Sequence, residues 1–193
     1  ARGDRHVHRG DGRSARERPA EDRMNQTGNP EPGTWSRERA VEEFKRLRGV
    51  EPFGPFVDLR VSPELMTRVG ALGEYLRYRS ALPPRLSEFA ILVTAAAWQQ
   101  PFEWEIHAPI AMKEGIRQTT LDALWSGAMP QNLEPDQQAL YGLCTELHRD
   151  RRVTPATRDR AVAALGEQGV IDAIGICGYY ALLAMVLNSK LRT

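Results

Sequence analysis

Arg85 to Ile116 reads RLSEFAILVTAAAWQQPFEWEIHAPIAMKEGI, and this stretch decides the fold. An apolar run with one acid near its start, Glu88, breaks at Gln99-Gln100-Pro101. A second helical pattern follows, setting Glu103 and His107 four residues apart. Side chains at i and i+4 share a helix face, so Glu103 is placed to hold His107 or to share a proton with it. An antiparallel turn at Pro101 would fold Glu88 back towards that face. Two acids and an imidazole therefore fall on the least polar hairpin of the chain, the only constellation in it that looks like chemistry.

On the N-terminal side, Trp35, Val41, Phe44 and Leu47 recur among charges as an amphipathic helix that Gly49 would end. The following EPFGPFVDLR, with two prolines and a glycine, is expected to cross the surface as an irregular connection. Ser62-Pro63-Glu64 is a helix start: a hydroxyl to cap, a proline whose missing N–H does no harm, and an acid near the positive end of the dipole. Leu65, Met66, Val69, Leu72 and Leu76 follow at helical spacing to about Ser80, before Leu82-Pro83-Pro84 forces an extended turn.

On the C-terminal side, Pro109 is expected to kink the second hairpin helix just past His107 and to free the Glu105 carbonyl. Gly115 would end that helix, and Thr119 or Thr120 would cap a short one through Trp125. Pro135 opens a helix whose apolar face is Leu140, Leu143, Cys144 and Leu147. Thr154-Pro155 opens another, punctuated by Gly166 and Gly169, before a final apolar helix through Leu187. No useful period-2 alternation appears, so the fold class is all-α, a bundle of roughly seven or eight helices.

Length and composition bound the rest. At 193 residues and 41% hydrophobic content the chain suffices for one domain with a real core. The net charge of +1 conceals an uneven start: residues 1–23 carry seven arginines and five acids with almost nothing apolar. Such a segment cannot offset the entropy of ordering, so residues 1–34 are expected to be a disordered basic tail and linker before a helical domain at 35–193. Its arginines alternate with acids and lack aromatic company, which argues against nucleic acid as a partner. The N-terminus shows no apolar core of the secretory kind, and a cytoplasmic location is expected. The run from Gly169 to Leu187 nears membrane-spanning length, but Asp172 and glycines interrupt it, and a bundle centre or an oligomer interface demands the same composition. Cys144 and Cys177 have neither metal nor disulfide-framework spacing and read as two buried reduced thiols.

The residues of the hairpin leave several readings open. Glu88 can simply meet the helix dipole or pair with Arg85, and Glu103 with His107 can be a solvated i,i+4 pair. Burial beside Phe89, Trp98 and Trp104 would instead raise a carboxyl pKa while a neighbouring imidazole lowers it, poising a group near neutrality for proton transfer. A metal held by Glu88, Glu103 and His107 is the third reading, weakened by the presence of only one histidine there.

The Arg-x-x-Glu at Arg85–Glu88, the Glu-Trp-x-x-His at Glu103–His107, the Ala-x-x-x-Gly ending at Gly115 with Ile116 after it, and the closing Gly178–Tyr180 together resemble the carboxymuconolactone decarboxylase and alkylhydroperoxidase D superfamily, from about Leu65 to Asn188. The spacing of Glu88 and His107 is similar to that superfamily's proton-relay pair. Its peroxidase branch places a Cys-x-x-Cys seven and four residues before the histidine, where this chain has Gln100 and Glu103. Neither side chain forms a thiolate or a disulfide, so peroxidase turnover by that route is chemically closed.

The resemblance to the decarboxylase-like branch implies a cofactor-independent lyase or isomerase acting on a small unsaturated carboxylated or lactone substrate. Glu88, Glu103 and His107 would be its proton-transfer set, with no metal and no organic cofactor. Arg85 is a candidate to hold a substrate carboxylate, since a planar guanidinium suits one, and Trp98 and Trp104 are candidates to wall the cavity. The resemblance also implies a homo-oligomer, a trimer or hexamer. A catalytically silent helical oligomer that binds a small ligand or a partner stands as the rival reading.

Overall fold

The computed structural model describes residues 35–190, and within them helix is the sole regular structure. The chain divides into a unit of residues 1–36 and a unit of residues 37–193, and the second holds all eight described helices. The expected tail and linker at 1–34 lie outside the described residues. The helices are α1 (Arg37–Arg48), α2 (Pro55–Leu59), α3 (Pro63–Tyr78), α4 (Pro84–Ala97), α5 (Pro101–Lys113), α6 (Gln118–Trp125), α7 (Pro135–Asp150) and α8 (Pro155–Asn188).

Proline writes most of these boundaries. Six of the helices begin with proline in their first turn, where a fixed φ suits the helix and the absent N–H has no intrahelical acceptor. Side chains complete three of the starts. The Gln100 side chain accepts from Phe102 N at 2.9 Å, Glu134 and Gln137 close a reciprocal capping box, and Thr154 Oγ1 accepts from Thr157 N at 3.3 Å.

Several sequence expectations shift. EPFGPFVDLR is not wholly irregular, because Gly54 at φ +52 turns the chain directly into the short α2. A side chain at Gly54 would also collide with Phe102, so the glycine lets α2 approach α5. Ser62 makes no side-chain cap, and α6 starts at Gln118 after Arg117, leaving Thr120 buried inside the helix. Helix α5 continues through Pro109 to Lys113. Helix α8 joins the two expected C-terminal helices across a break at Gly166, whose φ of 72 and ψ of 165 only glycine adopts readily.

Helix α4 is the axis. Leu86 through Ala95 are all buried, so the helix is apolar all round, and it packs on α5, α7 and α8. Phe89, Ile91 and Leu92 meet Leu140 and Leu143 of α7 and Ile176 of α8 in a single core. Asp172, the acid inside the apolar α8, is satisfied within the fold: Oδ2 accepts from Ala81 N at 2.7 Å and Oδ1 from the Tyr75 hydroxyl at 3.0 Å. It thereby ties α8 to the end of α3, which explains a charge in a segment otherwise apolar enough to span a membrane. Half of the most apolar window of α8 is buried inside the fold.

Candidate active site

The tight turn at Gln99–Gln100 sends α5 back along α4, and Gln99 takes a left-handed φ of 47 to make it. That reversal places Glu88, from the first turns of α4, against His107 at the middle of α5. Nδ1 of His107 lies 2.6 Å from Oε2 of Glu88, and Nε2 lies 3.6 Å from Oε2 of Glu103. All three side chains are buried, with residues 6%, 3% and 4% exposed for Glu88, His107 and Glu103. The first contact is a short, charge-assisted hydrogen bond. The second is beyond hydrogen-bond reach and closes only if a side chain moves or an atom enters between them.

The geometry assigns different parts to the two acids. A carboxylate accepts only, so Glu88 fixes the proton of a neutral His107 on Nδ1 and leaves Nε2 as an acceptor turned to Glu103. Glu103 and His107 both line a cavity of about 40 Å³, together with Arg48, Phe53, Arg77 and Tyr179. Glu88 stands behind the histidine. Burial pushes the Glu103 carboxyl from 4.5 up to about 7, against the pull of the Arg77 guanidinium. An acid raised towards neutrality by desolvation and facing an imidazole acceptor is suited to general acid–base chemistry.

Three residues of this site escaped the sequence reading. The Tyr180 ring meets His107 edge-on at 5.1 Å and 90°, fixing the imidazole plane from α8. Arg48 reaches over from α1 and donates from Nη2 to the Tyr179 hydroxyl at 3.3 Å, while its buried Nε has no hydrogen-bond partner. Arg77 joins it from α3. No ion pair within 4.0 Å engages either guanidinium among the described residues. The approach depends on Gly73, where any Cβ would run into the Tyr179 hydroxyl and Arg48 Nη2. Gly178–Tyr180 was noted as a motif, but nothing in it signalled that the second tyrosine would face the histidine.

Of the residues expected around the site, Glu88, Glu103 and His107 come together, whereas Arg85, Trp98 and Trp104 do not line the cavity. Arg85 reaches instead to α7 and donates to Asp136 Oδ2 at 2.5 Å, so it is not the partner of Glu88 either. Trp98, at the far end of α4, lines a separate cavity beside His148. Trp104 stacks at 4.8 Å on Trp125 of α6. The reason is helical geometry: Trp104 lies one residue past Glu103, about 100° round the helix axis. Gln100, at one of the two peroxidase cysteine positions, caps α5 and donates to Asn188 Oδ1 at 2.7 Å. Among the described residues no group of three or more His, Cys, Asp or Glu side chains is arranged to hold a metal.

Comparison with known proteins agrees with this architecture. The crystal structure of the debrominase Bmp8, in its apo form, matches 81% of this chain and 84% of its own at a TM-score of 0.61 and 14% identity, a likeness of fold. No curated protein matches the sequence significantly. The model of the carboxymuconolactone decarboxylase family matches residues 63–146. That span contains Glu88, Glu103, His107 and Arg77, and leaves Arg48, Tyr179 and Tyr180 outside it. The buried acid–imidazole–acid set thus lies within a stretch, residues 63–146, that is similar to the carboxymuconolactone decarboxylase family.

Proposed function

We propose that this protein is a cofactor-independent lyase or isomerase that moves a proton on a small, unsaturated carboxylated or lactone substrate. The observation that supports it most is His107 held at 2.6 Å by Glu88 while its other nitrogen faces a buried Glu103 at 3.6 Å. In this reading Glu103 gives or takes the proton at the substrate carbon, and His107 relays it. Glu88 keeps the ring in one tautomer and balances the imidazolium when it forms. The substrate supplies its own electron sink, a conjugated carbonyl, so the residues need only handle protons.

Arg48 and Arg77 take the place first given to Arg85. Arg48 and Arg77, which make no ion pair within 4.0 Å among the described residues, stand beside a Glu103 carboxyl that burial pushes towards neutrality, a combination that suits a carboxylate. At about 40 Å³ the cavity is sized for one carboxylate or enolate end of the substrate. A homo-oligomer and a cytoplasmic location belong to the same proposal. Ile171, Ile174 and Met185, exposed on one side of α8, support association between copies.

The test is a panel of unsaturated carboxylic acids and lactones incubated with the protein in deuterated water and followed by proton NMR. Loss of carbon dioxide or deuterium uptake by one class, suppressed in Glu103→Gln, is expected. Exchange that persists undiminished in Glu103→Gln, or no exchange with any compound, would overturn the reading. The silent binder is favoured instead if a panel member raises the melting temperature without reacting, as the roomier cavity of about 650 Å³ beside Trp98 and His148 allows.

A further inference from the structure

Two nucleophilic side chains that the relay does not use meet elsewhere in the fold. Cys144 on α7 and Cys177 on α8 have their Sγ atoms 3.4 Å apart, although 33 positions separate them in sequence. Both are free and buried. The expectation of two buried reduced thiols therefore omits their contact, which the packing of α7 on α8 creates.

The surroundings distinguish one sulfur from the other. His148 lies one turn after Cys144 on α7, and its Nε2 is 3.0 Å from Oγ1 of Thr94 on α4. Thr94 also hydrogen-bonds the Ala90 carbonyl at 2.9 Å, which fixes its hydroxyl. The contact with Cys144 and, after it, the nearby His148 favour thiolate character at Cys177, against the burial that opposes it. Cys144 is held protonated by the same contact and by burial. His148 is also part of the wall of the cavity of about 650 Å³ that it shares with Trp98, Leu124, Tyr141 and Met185.

We propose that Cys177 and Cys144 form a second reactive site, a dithiol that a small peroxide converts to an intrachain disulfide. The Cys177 thiolate attacks one oxygen of hydrogen peroxide, the O–O bond breaks, and the hydroxide released takes a proton to leave as water, giving a sulfenic acid. Sγ of Cys144 then attacks the sulfenic sulfur. The S–S bond forms, the S–O bond breaks, and the departing hydroxide carries off the Cys144 proton as a second water. Two thiols are oxidised by two electrons and one peroxide is reduced to two waters. The sulfurs must approach from 3.4 Å to a bonded distance of about 2.05 Å. A resolving thiol already in contact stops the oxidation at the disulfide. The reaction is a modification and does not involve the Glu103–His107 cavity.

The experiment treats the reduced full-length protein with equimolar hydrogen peroxide and counts native thiols, with intact mass as a second readout. Both thiols should disappear, the mass should fall by about 2 Da, and dithiothreitol should restore both values. Cys144→Ser should leave a sulfenic acid on Cys177 that dimedone traps, and Cys177→Ser should leave Cys144 unreactive. Persistence of both thiols in the folded wild type, a gain of oxygen mass without cross-linking, or equal reactivity of Cys144 in Cys177→Ser would each overturn the proposal. The wild-type measurements decide it even if either variant folds poorly.

Discussion

Nδ1 of His107 lies 2.6 Å from Oε2 of Glu88, a contact that spans the α4–α5 turn and fixes which face of the imidazole meets the cavity. The sequence reading treated the two acids as equals, but the geometry separates them. Glu88 is behind the ring and orients it, whereas Glu103 shares the cavity wall with it.

Replacing Glu103 by Gln keeps the shape and removes the ionisable group. With an identified substrate, kcat should fall by about 10²–10⁴-fold, the range of general acid–base catalysis. Stability should not suffer, since no hydrogen bond to the Glu103 side chain is lost. His107→Ala differs. It strands the buried Glu88 carboxylate without its partner and should cost about 3–5 kcal/mol in denaturant unfolding, besides abolishing turnover.

Stability should also depend on pH through Glu103. Its pKa rises on folding from 4.5 to about 7, so between those values the folded state holds a proton that the unfolded state has released. The contribution is therefore fully present below pH 4.5 and lost as pH climbs to about 7. The loss is on the order of 3 kcal/mol. Denaturant unfolding of wild type and Glu103→Gln at pH 5 and pH 8 isolates it: the difference between the two proteins should shift in favour of the variant at pH 8.

Arg77→Gln should raise KM for a carboxylated substrate by roughly 10–100-fold, the loss of one charge-assisted hydrogen bond. Because Arg77 lowers the Glu103 pKa, the same variant should move the pH limb of kcat assigned to Glu103 upward. A purely structural arginine would change neither. Arg85→Ala is the control, since its pairing with Asp136 is partly solvated and should contribute no more than about 1 kcal/mol, with KM unchanged.

Gly73→Ala probes how the arginine and tyrosine reach the site. The added methyl meets the Tyr179 hydroxyl and Arg48 Nη2, so overpacking should cost about 1–3 kcal/mol and disturb the cavity. Alanine at Gly178, where a Cβ meets nothing within 4 Å, should be tolerated.

How far the sequence could be read depends on sequence distance. Glu103 and His107 are one turn apart on one helix, and Glu88 follows from a hairpin that Pro101 announces, so the meeting of the three side chains is legible from periodicity and turn chemistry. The helices were legible too, because six of them start at proline. Arg48, Arg77 and Tyr180 were not, since they come from α1, α3 and α8 and converge only through close approaches permitted by Gly73 and Gly54. Arg85 misled because i,i+3 neighbours on α4 share a side but need not share a partner, and Asp136 of α7 claims it. The Cys144–Cys177 contact was hidden for the same reason as the arginines: helix register across α7 and α8 leaves no trace in local pattern.

Carbon-13 NMR of protein labelled at glutamate side-chain carboxyls measures the property on which the relay rests, without requiring a substrate. One carboxyl resonance should titrate at about pH 7 and be missing from Glu103→Gln. If the resonance lost in that variant instead titrates near 4.5, Glu103 is an ordinary ionised carboxylate and the proton-transfer site is contradicted.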